Sequence, residues 1–148
     1  MVYRLIYTSK ATETVSDEAL KAILAKAHDR NPKLGLTGIL LFQNGRFLQV
    51  LEGAKPTVSR LMEKIAEDPR NRSLEYLFEE ENTNRLFSGW SMAYVPFDDS
   101  LKRRLAGAGD FKGVADLADQ MKDSETLVVH FLADVVAEMT KARQTAAL

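Results

Sequence analysis

The run FLQVLEG, residues 47–53, reads as a β-strand except for the amide of Gln49 in its middle. A buried amide without a partner costs roughly 1–3 kcal/mol. Gln49 therefore faces water, bonds a protein group, or is placed to bond a ligand. Side chains alternate along a strand, so Gln49 shares a face with Phe47 and Leu51, opposite Leu48, Val50 and Glu52. By the same rule Tyr3, Leu5 and Tyr7 share a face, as do Trp90, Met92 and Tyr94. If these bulky sets all point toward covering helices, Tyr7, Gln49, Trp90 and Met92 converge on a site that could hold a polar ligand. Each residue also has a plainer reading. Tyr7, Trp90 and Met92 suit a core, Asn31 suits a helix end, and Gln49 suits a partnered interior amide.

Other chemistries find little support. His28 and His130 lack metal-ligand spacing, and there is no cysteine for a thiolate, a disulfide or a zinc site. No phosphate-binding, dinucleotide or nucleophile-elbow motif is present. Glu79, Glu80 and Glu81 could supply paired carboxylates, but read better as a solvated strand end. A net charge of −1 gives no electrostatic case for nucleic acid or an anionic membrane. No apolar run approaches the ~18 residues of a membrane span, and a cysteine-free chain suits a reducing cytoplasm. The expectation is a soluble, cytoplasmic protein that is not an enzyme.

The elements that would position these residues follow from periodicity. Residues 3–8 read as a first strand. Ser16 can cap a helix begun by Asp17 and Glu18, with Leu20, Ile23, Leu24 and Ala27 along one stripe. Pro32 predicts an end near Arg30 and Asn31. Residues 36–42 and 46–52 form a hairpin through Asn44-Gly45, since both turn residues tolerate positive φ. Pro56 opens a second helix with Val58, Leu61, Met62 and Ile65 on its stripe, closed by Asp68-Pro69. Residues 74–79 and 90–95 read as further strands. The order βαββαββ predicts an α+β fold, with both helices on one sheet face. Residues 114–121 and 124–140 read as helices, and the tail from Lys141 as frayed. The stripe of Leu127, Val128, Phe131, Leu132, Val135, Val136 and Met139 is wide enough to cover the bare sheet face, another subunit, or both.

Four stretches in this order resemble the BLUF family of flavin-binding blue-light sensors: RLIYTSKA (residues 4–11), RNPKLGLTGILLFQNGRFLQVLEG (30–53), DPRN (68–71) and WSMAY (90–94). The resemblance covers about residues 2–96. It implies a ferredoxin-like sheet whose two helices sandwich a flavin, with FAD expected and FMN or riboflavin as alternatives. The helical stripes, including Ile23, Ala27 and Ile65, would be the two walls. Carried over by motif, Tyr7 gives an electron and a proton to the excited flavin, and Gln49 is the switching amide between Tyr7 and the ring. Asn31 bonds the ring's pyrimidine edge with Ser9 and Arg30 nearby, and Asp68 and Arg70 lie toward the phosphate end. Trp90 and Met92 would compete for the space beside Gln49. Asn71 stands where the family usually has histidine, which bears on the phosphate end and the flavin preferred.

The resemblance thus implies a flavin-binding domain over residues 1–97 and a helical extension over 98–148 that covers the other sheet face and serves oligomerisation or output. A homo-oligomer and a downstream protein partner are expected. The alternative is a non-photochemical ligand-binding or assembly module on the same fold.

Overall fold

The computed structural model describes the backbone of residues 1–147 and the side chains of residues 1–141. Its elements run β1 (Val2–Ala11), α1 (Asp17–Leu34), β2 (Thr37–Gln43), β3 (Arg46–Gly53), α2 (Lys55–Glu67), β4 (Asn71–Thr83), β5 (Ala93–Tyr94), α3 (Asp99–Leu105), α4 (Val114–Met121) and α5 (Glu125–Ala147). The tail from Lys141, expected to fray, instead continues α5 to Ala147, and Leu148 lies outside the described residues.

The strands form a five-stranded sheet in the order β4-β1-β3-β2-β5, antiparallel except for the β2–β5 pair. The β2–β3 hairpin turns through Asn44 (φ 48°) and Gly45 (φ 79°), and this two-residue turn sets Leu40 opposite Gln49. The crossovers through α1 and α2 put both helices on one face of the sheet.

The pleat divides the apolar side chains into two cores. Tyr3, Leu5, Tyr7, Leu40, Phe47 and Leu51 pack with α1 and α2 residues such as Ala27, Val58, Leu61 and Met62. Ile6, Ile39, Leu41, Leu48 and Val50 point the other way and pack with Leu101, Leu105, Leu117, Val128 and Phe131 from α3, α4 and α5. The C-terminal helices therefore cover the second face. The stripe that prompted the expectation of a homo-oligomer is largely consumed within one chain, with Leu127, Val128, Phe131, Leu132, Val135 and Met139 all buried.

Several boundaries differ from expectation. Helix α1 does not stop before Pro32 but continues one turn to Leu34. Proline removes only its own N–H, and the N–H groups of Gly35 and Leu36 bond back to the carbonyls of Pro32 (3.3 Å) and Asn31 (2.9 Å). Gly35, left-handed at φ 67°, ends the helix. The expected strand over residues 90–95 shrinks to Ala93–Tyr94, because the preceding backbone bonds elsewhere: the Trp90 carbonyl accepts from Gly38 N and the Ser91 carbonyl from Asn31. Helix α3 was absent from the sequence reading. Asp98 caps it by accepting from Leu101 N at 2.9 Å, and Leu101 and Leu105 anchor it as a buried i,i+4 pair. The run Glu79 to Glu81 is no bare solvated end, since its members bond Tyr3, Arg4 and Lys55 respectively.

Phe131 is fully buried between α5 and the sheet. Phe131→Ala is expected to cost about 3–5 kcal/mol, read as a lower urea midpoint. A loss below about 1 kcal/mol would contradict docking of α5 on this face.

Candidate functional site

The sheet face beneath α1 and α2 carries buried polar side chains among its apolar ones. Tyr7 on β1 and Gln49 on β3 are direct cross-strand partners, and strand pairing brings their side chains together as it would any such pair. The Tyr7 hydroxyl donates to Gln49 Oε1, and both residues are buried. Gln49 Nε2 faces the Met92 sulfur at 3.5 Å. This orientation follows from the partners: a thioether only accepts, so the amide presents N–H to it and its oxygen to the phenol.

Asn31, in the last turns of α1, is fully buried and points toward the same region through the segment before β5. Its Nδ2 donates to the Ser91 carbonyl at 2.5 Å, and its Oδ1 accepts from Arg30 Nε at 3.0 Å. Ser9 is buried on β1 and its hydroxyl donates to Asn71 Oδ1 at 3.3 Å.

Burial pushes the Tyr7 phenol well above the ordinary tyrosine range, an effect that the positive charge of Arg30 opposes. Desolvation in turn lowers the pKa of Arg30. A neutral phenol here is a donor that stays protonated at any ordinary pH, with a cation close enough to feel its ionisation.

Of the residues proposed from sequence, Tyr7, Gln49 and Met92 are in direct contact, and Asn31 joins them through Ser91, the neighbour of Met92. Ile23, Ala27 and Ile65 pack on the same core as Tyr7. Asp68 and Arg70 are not drawn into this group. They bond each other at the end of α2, with Arg70 Nη2 at 2.6 Å from Asp68 Oδ2, and this contact holds the Asp68 carboxyl below the usual range. Trp90 departs from the expected convergence. It packs against the C-terminal core, whereas Met92 lies in the core of Tyr7, because the bend before β5 breaks the alternation that would have put them on one face.

Sequence reasoning missed Ser91, which also bonds His28 Nδ1 at 3.0 Å, and it gave no role to Arg4 or Glu52. Glu52 did carry a signal: a charged residue on the opposite face of a strand otherwise apolar there.

These residues suit a flavin on chemical grounds. Among the 18 residues of α1 only Ala27 and Asn31 are buried, and Leu20, Ile23 and Leu24, with Ile65 of α2, remain half-buried apolar walls. The amides of Asn31 and Gln49 each retain capacity for a further donated bond, as the heteroatom edge of an isoalloxazine requires. A ferredoxin-like sheet with a buried phenol–amide pair beneath two apolar helical walls defines a binding module for a flat heteroaromatic ring with a polar edge.

The chain belongs to the BLUF family, sensors of blue light using FAD, which matches residues 2–93. The photoactivated adenylate cyclase subunit beta of Euglena longa is 46% identical over 67 residues, 45% of this chain and 8% of that protein. This chain thus spans less than a tenth of the length of that curated relative. The structure of BlsA in its photo-activated state superposes with a TM-score of 0.78 at 28% identity, covering 92% of this chain and 95% of that one. BlrB, a BLUF protein in its dark state, gives 0.73 at 26% identity over 93% and 96% of the two chains. Among the described residues, no helix is long and apolar enough to cross a membrane.

The raised pKa of Tyr7 has a consequence at high pH. The unfolded chain loses its tyrosine protons near pH ~10 while Tyr7 in the folded protein keeps its own, so this contribution to stability is complete below that pH and lost as pH rises above it. Unfolding free energies from urea titrations between pH 9 and 11 should fall less steeply for Tyr7→Phe than for wild type, by up to about 1.4 kcal/mol per pH unit. Equal slopes would mean that Tyr7 ionises as readily folded as unfolded.

Proposed function

We propose that the protein is a blue-light photoreceptor in which Tyr7 and Gln49 form the switch and Met92 reads its state. The observation that carries this is the hydrogen bond from the Tyr7 phenol to Gln49 Oε1, with Nε2 of the same amide directed at Met92. Bound flavin, FAD or a related form, supplies absorption of blue light and transient acceptance of an electron and a proton. A buried phenol can release both together, so no isolated charge is left in the apolar core. The Gln49 amide has a donor at one end and an acceptor at the other. Reversing or tautomerising it would change its bond to Tyr7 and the edge it offers the flavin without moving net charge; reversal would also replace the N–H that faces the Met92 sulfur with an oxygen. The sheet floor, α1 and α2 hold these groups away from water.

Met92 immediately precedes β5, whose pairing to β2 and whose neighbour Val95 connect it to the core beneath α3–α5. Residues 1–97 would therefore sense light and 98–148 would pass on the change, to a downstream protein or through self-association. The cysteine-free composition suits the cytoplasm, where we place it. No substrate turnover is required of this cycle.

Tyr7→Phe and Gln49→Leu should each still bind flavin and purify yellow, yet lose the reversible light-induced shift of absorption to longer wavelength seen in wild type. Difference spectroscopy before and after blue light, with the released flavin identified by chromatography, reads both points. A normal reversible shift in either variant would refute its role, and a colourless wild-type protein that takes up no added flavin would favour a non-photochemical module.

A further inference from the structure

We propose that the buried Glu52 carboxylate is a positioning residue for the switch: with Arg4 it fixes the irregular segment 84–92 and so holds Met92 against Gln49. The inference rests on the photoreceptor reading above. Glu52, the penultimate residue of β3, is 0% exposed, and Arg4 beside it is 3% exposed. Glu52 Oε2 accepts from Arg4 Nε at 3.0 Å and from Leu86 N at 2.8 Å; Oε1 accepts from Thr37 Oγ1 at 3.0 Å and from Phe87 N at 3.0 Å. Arg4 adds a bond from Nη2 to the Asn84 carbonyl at 2.6 Å, and Arg85 reaches Thr37 Oγ1 (2.8 Å) and the Gly35 carbonyl (2.6 Å).

A buried ion pair is a weak source of stability, because desolvation offsets much of its attraction. What this one does is geometric. Residues 84–92 belong to no helix or strand, so their position depends on such bonds. Four donors converge on two oxygens, which an ionised carboxylate can accept and an amide of the same shape cannot. The clamp acts at residues 86 and 87. Phe87 is fully buried, Trp90 N donates to its carbonyl at 3.0 Å, and Trp90, Ser91 and Met92 then meet Gly38, Asn31 and Gln49 in turn. Glu52 thus lies on the face opposite Gln49 but governs what touches it.

The test uses the full chain with bound flavin and three proteins: wild type, Glu52→Gln, and Ser16→Ala. The last removes the cap on Ala19 N and lowers stability without touching segment 84–92. Trp90 is the only tryptophan in the chain, so acrylamide quenching of its fluorescence reports directly on the segment. Glu52→Gln is expected to raise that quenching and to return from the lit to the dark state about three- to tenfold faster, the effect of losing one hydrogen bond that restrains the segment holding Met92. Ser16→Ala should match wild type in both. Wild-type quenching and recovery in Glu52→Gln, or equal changes in Ser16→Ala, would overturn the proposal. If Glu52→Gln does not fold, Thr37→Val removes one bond to Oε1 and is judged by the same two readouts. A wild-type protein with no reversible shift would overturn the photoreceptor reading instead, while the Trp90 readout would still decide whether Glu52 fixes the segment.

Discussion

A polar side chain buried in the central strand of a sheet must be bonded where it stands, and the arrangement around Gln49 follows from that requirement. Gln49 has Tyr7 on one neighbouring strand and Leu40 on the other. Only the phenol can bond it, and Met92 completes the amide's other end from outside the ladder. Both partners are neutral. Neither orientation of an amide there leaves an isolated charge in the core, although only the one observed gives the sulfur a donor, whereas a carboxylate or an ammonium in the same place would be locked by its charge.

The same strand shows the opposite solution three residues later. Glu52 is charged, equally buried, and saturated by a guanidinium, a hydroxyl and two main-chain N–H groups. Alternation along β3 puts the adaptable amide on the face of α1 and α2 and the fixed carboxylate on the face of the C-terminal helices. One strand therefore carries a sparingly bonded amide and a fully bonded carboxylate, and the segment 84–92 contacts both.

Much of this was legible in the sequence because it depends on short-range rules. The Asn44-Gly45 turn fixed the hairpin register, the caps and apolar stripes located α1 and α2, and motifs in a fixed order identified the family. What was not legible depends on contacts between distant parts of the chain. Pro32 stopped the helix in the sequence reading because local sterics disfavour continuation; bonds from Gly35 and Leu36 allow one turn more. Residues 90–95 alternate like a strand, but Asn31 and Gly38 take up their backbone groups and bend them, which sends Trp90 and Met92 to different cores. The partners of Glu79, Glu80 and Glu81 depend on the irregular β1–β4 register, which no periodicity reveals.

The separation of Trp90 from Met92 also determines how a change at Gln49 could travel. Met92 packs in the core with Tyr7 while Trp90, two residues earlier, packs against the C-terminal core, so the segment between them touches both. In the proposed cycle, part of any displacement of the sulfur by a reversed amide would be taken up by the flexible thioether side chain, and close-packed neighbours would pass on the rest. On that reading the remainder would reach the backbone of residues 90–92, and with it the indole that packs on the C-terminal core. Residues 90–92 thus contact both cores beside Gln49, and the bonds from Glu52 to Leu86 and Phe87 anchor the same irregular segment a few residues upstream.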